Sequence, residues 1–281
     1  MNVAPGRRLL AEFTGTGLLV AVVVGSGIAA SRLTGDGALR LLVNSLVTML
    51  GLAVLILLFA PAGGAHFNPV VTGADWLLGR GTGRSYGLGE AAAVIGCQVA
   101  GAVAGAALAD AMFGVPALAA SGHHRGGGPP LLSEAVATAG LLLVIVSLAR
   151  TGRTQHAPWA VAAWIGAAYW FTASTSFANP AVTIGRTLTD TYAGIAPASA
   201  PAFIAAQVIG GTIGTVLAVA LYPGRANRPA DAREPARLAA QREGEPVMAD
   251  VAIRDAAGRW RGDLRYGSIP TYECGGSEGA S

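Results

Sequence analysis

Two tripeptides in this chain carry most of its chemical potential: Asn68-Pro69-Val70 and Asn179-Pro180-Ala181. Asn is a strong N-cap, and Pro is favoured at the first helical position, so each tripeptide should open a helix. Such a start leaves backbone N–H groups unpaired and presents the positive end of the helix dipole. Two such ends facing each other would repel a cation. The Asn side-chain amides would add donors able to hold the oxygen of an uncharged solute. The plain alternative is that both Asn are N-caps and nothing more. The apolar pieces that follow, Asn68–Leu78 and Asn179–Leu188, hold about ten residues each and so rise ~15 Å, half the bilayer core. They read as half-helices.

Four more polar residues lie inside apolar runs: Glu12, Gln98, Glu134 and Gln207. A carboxylate at membrane depth is costly and is a functional candidate, with a proton relay as one reading.

The elements that must position these groups follow from composition. Of the 281 residues 52% are hydrophobic and 12% are charged. That charged share is about half of what soluble domains carry. Mean hydropathy is +0.51. The balance indicates a polytopic membrane protein. Every basic residue is Arg, without the one-faced clustering of a nucleic-acid binder. Segments long enough to cross a bilayer are Leu9–Ala30, Leu41–Ala60, Leu88–Met112, Leu131–Ala149 and Pro201–Tyr222, with a shorter sixth at Pro158–Phe171 that could extend toward Thr175. The first run is too long for the apolar part of a cleavable signal. Cys97 reads as a small core residue, and two Cys make no disulfide framework.

The chain also repeats itself. EFTGTGLLV at Glu12 returns as EAVATAGLLLV at Glu134, NPVVT at Asn68 as NPAVT at Asn179, and QVAGAVAGAAL at Gln98 as QVIGGTIGTVL at Gln207. The expected units are residues 9–112 and 131–222. Each holds three spans, an odd number, so the halves are inverted, and inverted repeats that meet at broken helices are a transport architecture. Basic residues place both termini in the cytoplasm, with Arg7, Arg8, Arg80, Arg84, Arg150, Arg153, Arg225 and Arg228 inside and Arg32, Arg40, Arg125 and Arg186 outside. The channel-like part then spans residues 1–223. Residues 224–281, rich in Arg, Glu, Asp, Pro and Ala, read as a disordered tail. Gly101 and Gly105, matched by Gly210 and Gly214, read as close helix contacts.

This ordered set resembles the aquaporin superfamily, the major intrinsic proteins, over roughly residues 9–222. The resemblance implies an all-α membrane protein of six transmembrane helices and two re-entrant half-helices. It implies a passive channel that is not an enzyme, needs no cofactor or metal, and assembles as a homotetramer in the cell membrane. It gives Glu12 and Glu134 a structural role, accepting bonds from the half-helix loops, with Gln98 and Gln207 as further supports. It places His66 near the cytoplasmic pore, as a lining residue or a loop anchor. Most relatives carry an Arg three residues after the second motif's Asn, where this chain has Val182. Fixed offsets put the other filter positions at Thr48, Ala167 (or Gly166) and Ser176. A filter of Thr48, Ala167, Ser176 and Val182 is small and weakly polar, and resembles that of bacterial aquaporins associated with arsenic resistance. The expected solutes are neutral metalloid acids such as arsenite, As(OH)3, and polyols such as glycerol. An orthodox water channel and a proton-coupled transporter are the competing readings. Arg186, one turn beyond Val182, is either a displaced charge at the outer pore mouth or an interface Arg paired with Asp190. His123 and His124 make a poor metal site and read as a solvated loop.

Overall fold

A computed structural model describes residues 4–80 and 86–223. The expected tail, residues 224–281, lies outside the described residues, as do Arg84, Arg225 and Arg228. The described residues form eight α-helices: α1 Pro5–Leu33, α2 Gly37–Gly63, α3 Pro69–Gly79, α4 Leu88–Met112, α5 Gly128–Thr151, α6 Ala157–Phe171, α7 Pro180–Arg186 and α8 Ala200–Leu221, with a short 3-10 turn at Thr154–His156. No strand occurs among them.

Five of these, α1, α2, α4, α5 and α8, are long and apolar enough to cross a membrane. The sixth span, α6, has 15 residues and stops at Phe171 without reaching Thr175. Thr172 turns extended (φ −113°, ψ 141°), and its hydroxyl bonds back to the carbonyl of Ala168 at 2.6 Å. The chain then becomes the loop that feeds α7. The second half-helix is also shorter than expected, seven residues ending at Arg186 rather than Leu188.

The helices pack in matched pairs, α1 on α4 and α5 on α8. Gly sets both contacts. A Cβ on Gly105 would collide with the carbonyl of Gly17, and one on Gly214 with the carbonyl of Ala139. These symmetry-related glycines let backbones approach where a side chain would hold them apart. α2 packs on α6 and joins the two halves. Leu50, Val54, Leu58, Trp159 and Phe171 are exposed, as surfaces facing lipid or another subunit require.

Candidate functional site

The loops before the two half-helices are built alike. Phe67 and Ala178, each just before an Asn, have φ of 50° and 47°, and Ala65 and Ser176 have 52° and 49°. Left-handed backbone at non-glycine residues costs about 1–2 kcal/mol each, so something must hold it. The buried carboxylates do. Glu12 accepts from the backbone N–H of His66 and of Phe67, both at 2.8 Å, and from the Gln98 amide at 2.8 Å. Glu134 accepts from Phe177 and Ala178, both at 2.9 Å, and from Gln207 at 2.7 Å. Both carboxylates are fully buried. With three donors on two oxygens, each is an acceptor in a clamp and is poorly placed for a proton relay.

The Gln amides also tie the clamps to the half-helices. Gln98 Nε2 donates to Thr72 Oγ1 at 2.8 Å, and Gln207 Nε2 to Thr183 Oγ1 at 2.9 Å. Each Thr lies four residues after its Asn. The repeated NPVVT and NPAVT already contained this signal, although only the Asn-Pro part attracts attention in the sequence.

The Asn residues cap their helices and also cross between halves. Asn68 Oδ1 accepts from Val70 N at 2.9 Å, and Asn179 Oδ1 from Ala181 N at 3.0 Å. Asn68 Nδ2 donates to the carbonyl of Ala178 at 2.8 Å, while Asn179 Nδ2 donates to that of Phe67 at 2.7 Å. An amide NH2 has two hydrogens, so each Asn keeps one N–H for the cavity that both residues line. Pro69 and Pro180 occupy the first helical positions. Val70 and Ala181 differ in burial: Ala181 is fully buried, while Val70 is partly exposed and its side chain lies where a Cβ on Gly211 would go.

That cavity is narrow, about 60 Å³. At 10–15 Å³ per water it holds roughly four to six waters, or one small polyol. Leu19, Val23, Leu52, Leu141 and Ile165 form apolar walls, and Thr48, Ser176, Val182 and Arg186 also line it. Ala167 is exposed on the opposite face of α6 and does not line the cavity, and Gly166 is buried against Met49. The α6 stripe facing the cavity is Val161, Ile165 and Tyr169, spaced four apart. Tyr169 is only 2% exposed, and its hydroxyl lies 3.3 Å from Thr48 Oγ1. The expectation of an all-small lining therefore fails at α6. The offset from Asn179 fixes a position along the chain but not the phase of α6, and that phase turns Tyr169 rather than Ala167 to the cavity.

Arg186 is also not where the interface reading put it. It is 2% exposed and stacks on Phe177, its Cζ 3.4 Å from the ring centroid, and its Nε donates to the carbonyl of Ala193. Asp190 makes no ion pair with it. Asp190 Oδ1 instead accepts from Gly122 N at 2.8 Å and lies 3.9 Å from His123 Nε2. Sequence reading missed Arg125, which sits over the same Phe177 ring at 5.3 Å and donates to the carbonyl of Gly194 at 2.9 Å. No sequence signal links Arg125 to Phe177, because the contact is made only by the folded loop.

The other end differs. A wider cavity of about 280 Å³ is lined by His66, Asp75 and Arg150 among apolar residues. His66 Nδ1 lies 3.2 Å from Thr72 Oγ1, and Nε2 lies 3.8 Å from Asp75. His66 is thus both a lining residue and an anchor. The Tyr86 hydroxyl donates toward Asp75 at 3.1 Å. Burial, together with the nearby Asp75 charge, pushes the Tyr86 phenol up to about 12. Among the described residues no cluster of three or more His, Cys, Asp or Glu could hold a metal.

A family model described as major intrinsic protein matches residues 2–175. The chain belongs to the major intrinsic protein family. Members of that family are membrane channels and not enzymes, and this chain is a channel for small solutes. It is 50% identical over 204 residues to the aquaglyceroporin AqpS of Rhizobium meliloti (strain 1021), covering 73% of this chain and 85% of that protein. It is 38% identical over 106 residues to the glycerol uptake facilitator protein of Escherichia coli (strain K12), 38% of this chain and 35% of that one. The X-ray structure of the aquaglyceroporin from Plasmodium falciparum shares the fold, with a TM-score of 0.57 at 18% identity over 76% of this chain and 95% of that chain.

Proposed function

We propose that this channel passes small polar solutes without charge, glycerol-like polyols and metalloid acids such as arsenite, As(OH)3, ahead of water. The observation that carries the reading is Val182 on the cavity wall, close to the spare Asn N–H groups and without charge. A solute with several hydroxyls meets two Asn donors, the Thr48 and Tyr169 hydroxyls, and an apolar wall opposite. A cation meets two helix N-termini and Arg186. The filter is then Thr48, Tyr169, Ser176 and Val182, with Arg186 at the outer mouth and His66 at the cytoplasmic one. The likeness to an aquaglyceroporin over most of its length supports polyols.

The channel is assigned to the cell membrane with both termini cytoplasmic, as a homotetramer surrounded by lipid. The apolar exposed faces of α2 and α6 support that assembly, and native mass spectrometry checks it. The orthodox water channel is the second reading, favoured by the bulk of the Tyr169 side chain on the wall of a cavity of about 60 Å³. Stopped-flow proteoliposome measurements of water, glycerol and arsenite separate the two. Glycerol and arsenite flux well above empty vesicles, with no proton gradient imposed, supports the first. Fast water flux with both solutes excluded supports the second.

A further inference from the structure

Arg186 has more donors than the fold uses. Nε is taken by the carbonyl of Ala193, yet among the described residues no acceptor bonds to Nη1 or Nη2. No carboxylate pairs with it either, since Asp190 is engaged by Gly122 and His123. The side chain is nevertheless 98% buried (2% exposed) and lines the pore cavity. The Nη pair of a guanidinium is a planar fork matched to two oxygens of a carboxylate or phosphate.

A second guanidinium adds to the field. Arg125 reaches Phe177 from the loop before α5, and its Nε and Nη2 bond the carbonyls of Gly194 and Tyr192 at 2.9 and 3.2 Å. The backbone segment Tyr192–Gly194 thus holds both arginines, and both lie over one aromatic ring. This end of the pore carries two positive charges on one platform.

We propose that this mouth is a binding site for a small oxyanion, and that occupancy plugs the pore. The oxyanion would take the free fork of Arg186, with Arg125 as a positioning residue that holds the platform and strengthens the field. It would not pass inward. Beyond Arg186 most of the wall is apolar, its hydroxyl and amide groups are too few to replace an ion's hydration shell, and stripping water from an ion there is costly. The arrangement would let neutral solutes through when the mouth is empty and slow them when external oxyanion is abundant. Oxyanion binding does not depend on which neutral solute the channel carries.

The test uses the full chain in detergent, with inorganic phosphate as probe against chloride at matched ionic strength. Expected is a saturable rise in melting temperature with phosphate alone. Arg186→Lys, which keeps the charge and loses the fork, should weaken the apparent affinity at least tenfold. Arg125→Gln should weaken it several-fold. In proteoliposomes, phosphate should slow glycerol flux with the midpoint seen in binding. A phosphate response equal to that of chloride, or equal in wild type and Arg186→Lys, would overturn the proposal. Absence of glycerol flux with binding intact would instead count against the polyol reading, leaving the oxyanion site standing.

Discussion

The middle of the pore and its two ends obey different rules. At the middle, the halves are near copies: Glu12 with Gln98 and Thr72 repeats as Glu134 with Gln207 and Thr183, and each Asn bonds the loop before the other. At the ends the copies part. The seventh residue after Asn68 is Asp75, exposed beside His66 and Tyr86, while the seventh after Asn179 is Arg186, buried on Phe177. One end opens on a cavity of about 280 Å³ that carries both signs of charge, whereas at the other end Arg186 borders the central cavity of about 60 Å³. Duplication was kept where the fold needs two strained loops pinned face to face. It was lost where the pore meets solution, and that is where selectivity can be set without disturbing the fold.

The strongest way to break this comparison is at the clamps. Glu134→Ala leaves the N–H groups of Phe177 and Ala178 and the Gln207 amide without an acceptor in a buried site. The expected loss is about 3 kcal/mol or more. Glu12→Ala should cost a similar amount through His66, Phe67 and Gln98. Thermal unfolding in detergent measures both, and a large difference between them would show that the halves are not equivalent at the middle. Gly214→Leu should be nearly as damaging, because the new side chain meets the Ala139 carbonyl, and the yield of folded protein reads it out.

A smaller and more specific effect is expected from Asn68→Asp. The carboxylate can still cap the helix through Val70 N, but it loses the donor to Ala178 and puts negative charge at the middle. Proton or sodium leak in vesicles held at a fixed potential should rise above the level of the wild type. The mildest change is Tyr169→Phe, which removes one hydroxyl and its contact with Thr48. That is worth about 1 kcal/mol, so solute flux should change less than about tenfold.

The sequence made the middle legible because it is written twice. Asn-Pro caps, Glu and Gln at matched depth, and glycines four apart appear in both halves in the same order, and each has a local physical reason. The ends were less legible for the opposite reason. Tyr169 was missed because counting back from Asn179 fixes a position along the chain but not the phase of α6, which turns Val161, Ile165 and Tyr169 to the cavity and Ala167 away from it. Arg125 meets Phe177 from 52 positions earlier in the chain, through a loop with no periodicity to read. The burial of Arg186 depends on a ring and a carbonyl that its neighbours in sequence do not reveal.

If the outer end chooses the solute, restoring a charge at Val182 should change selectivity without changing the fold. The ratio of glycerol to water permeability in proteoliposomes, measured for wild type and Val182→Arg at equal protein density, tests this most directly. The wild type should pass glycerol readily, and Val182→Arg should lower the ratio by about tenfold, some 1.4 kcal/mol in barrier height. An unchanged ratio in a well-folded variant would contradict the placement of the filter at Val182.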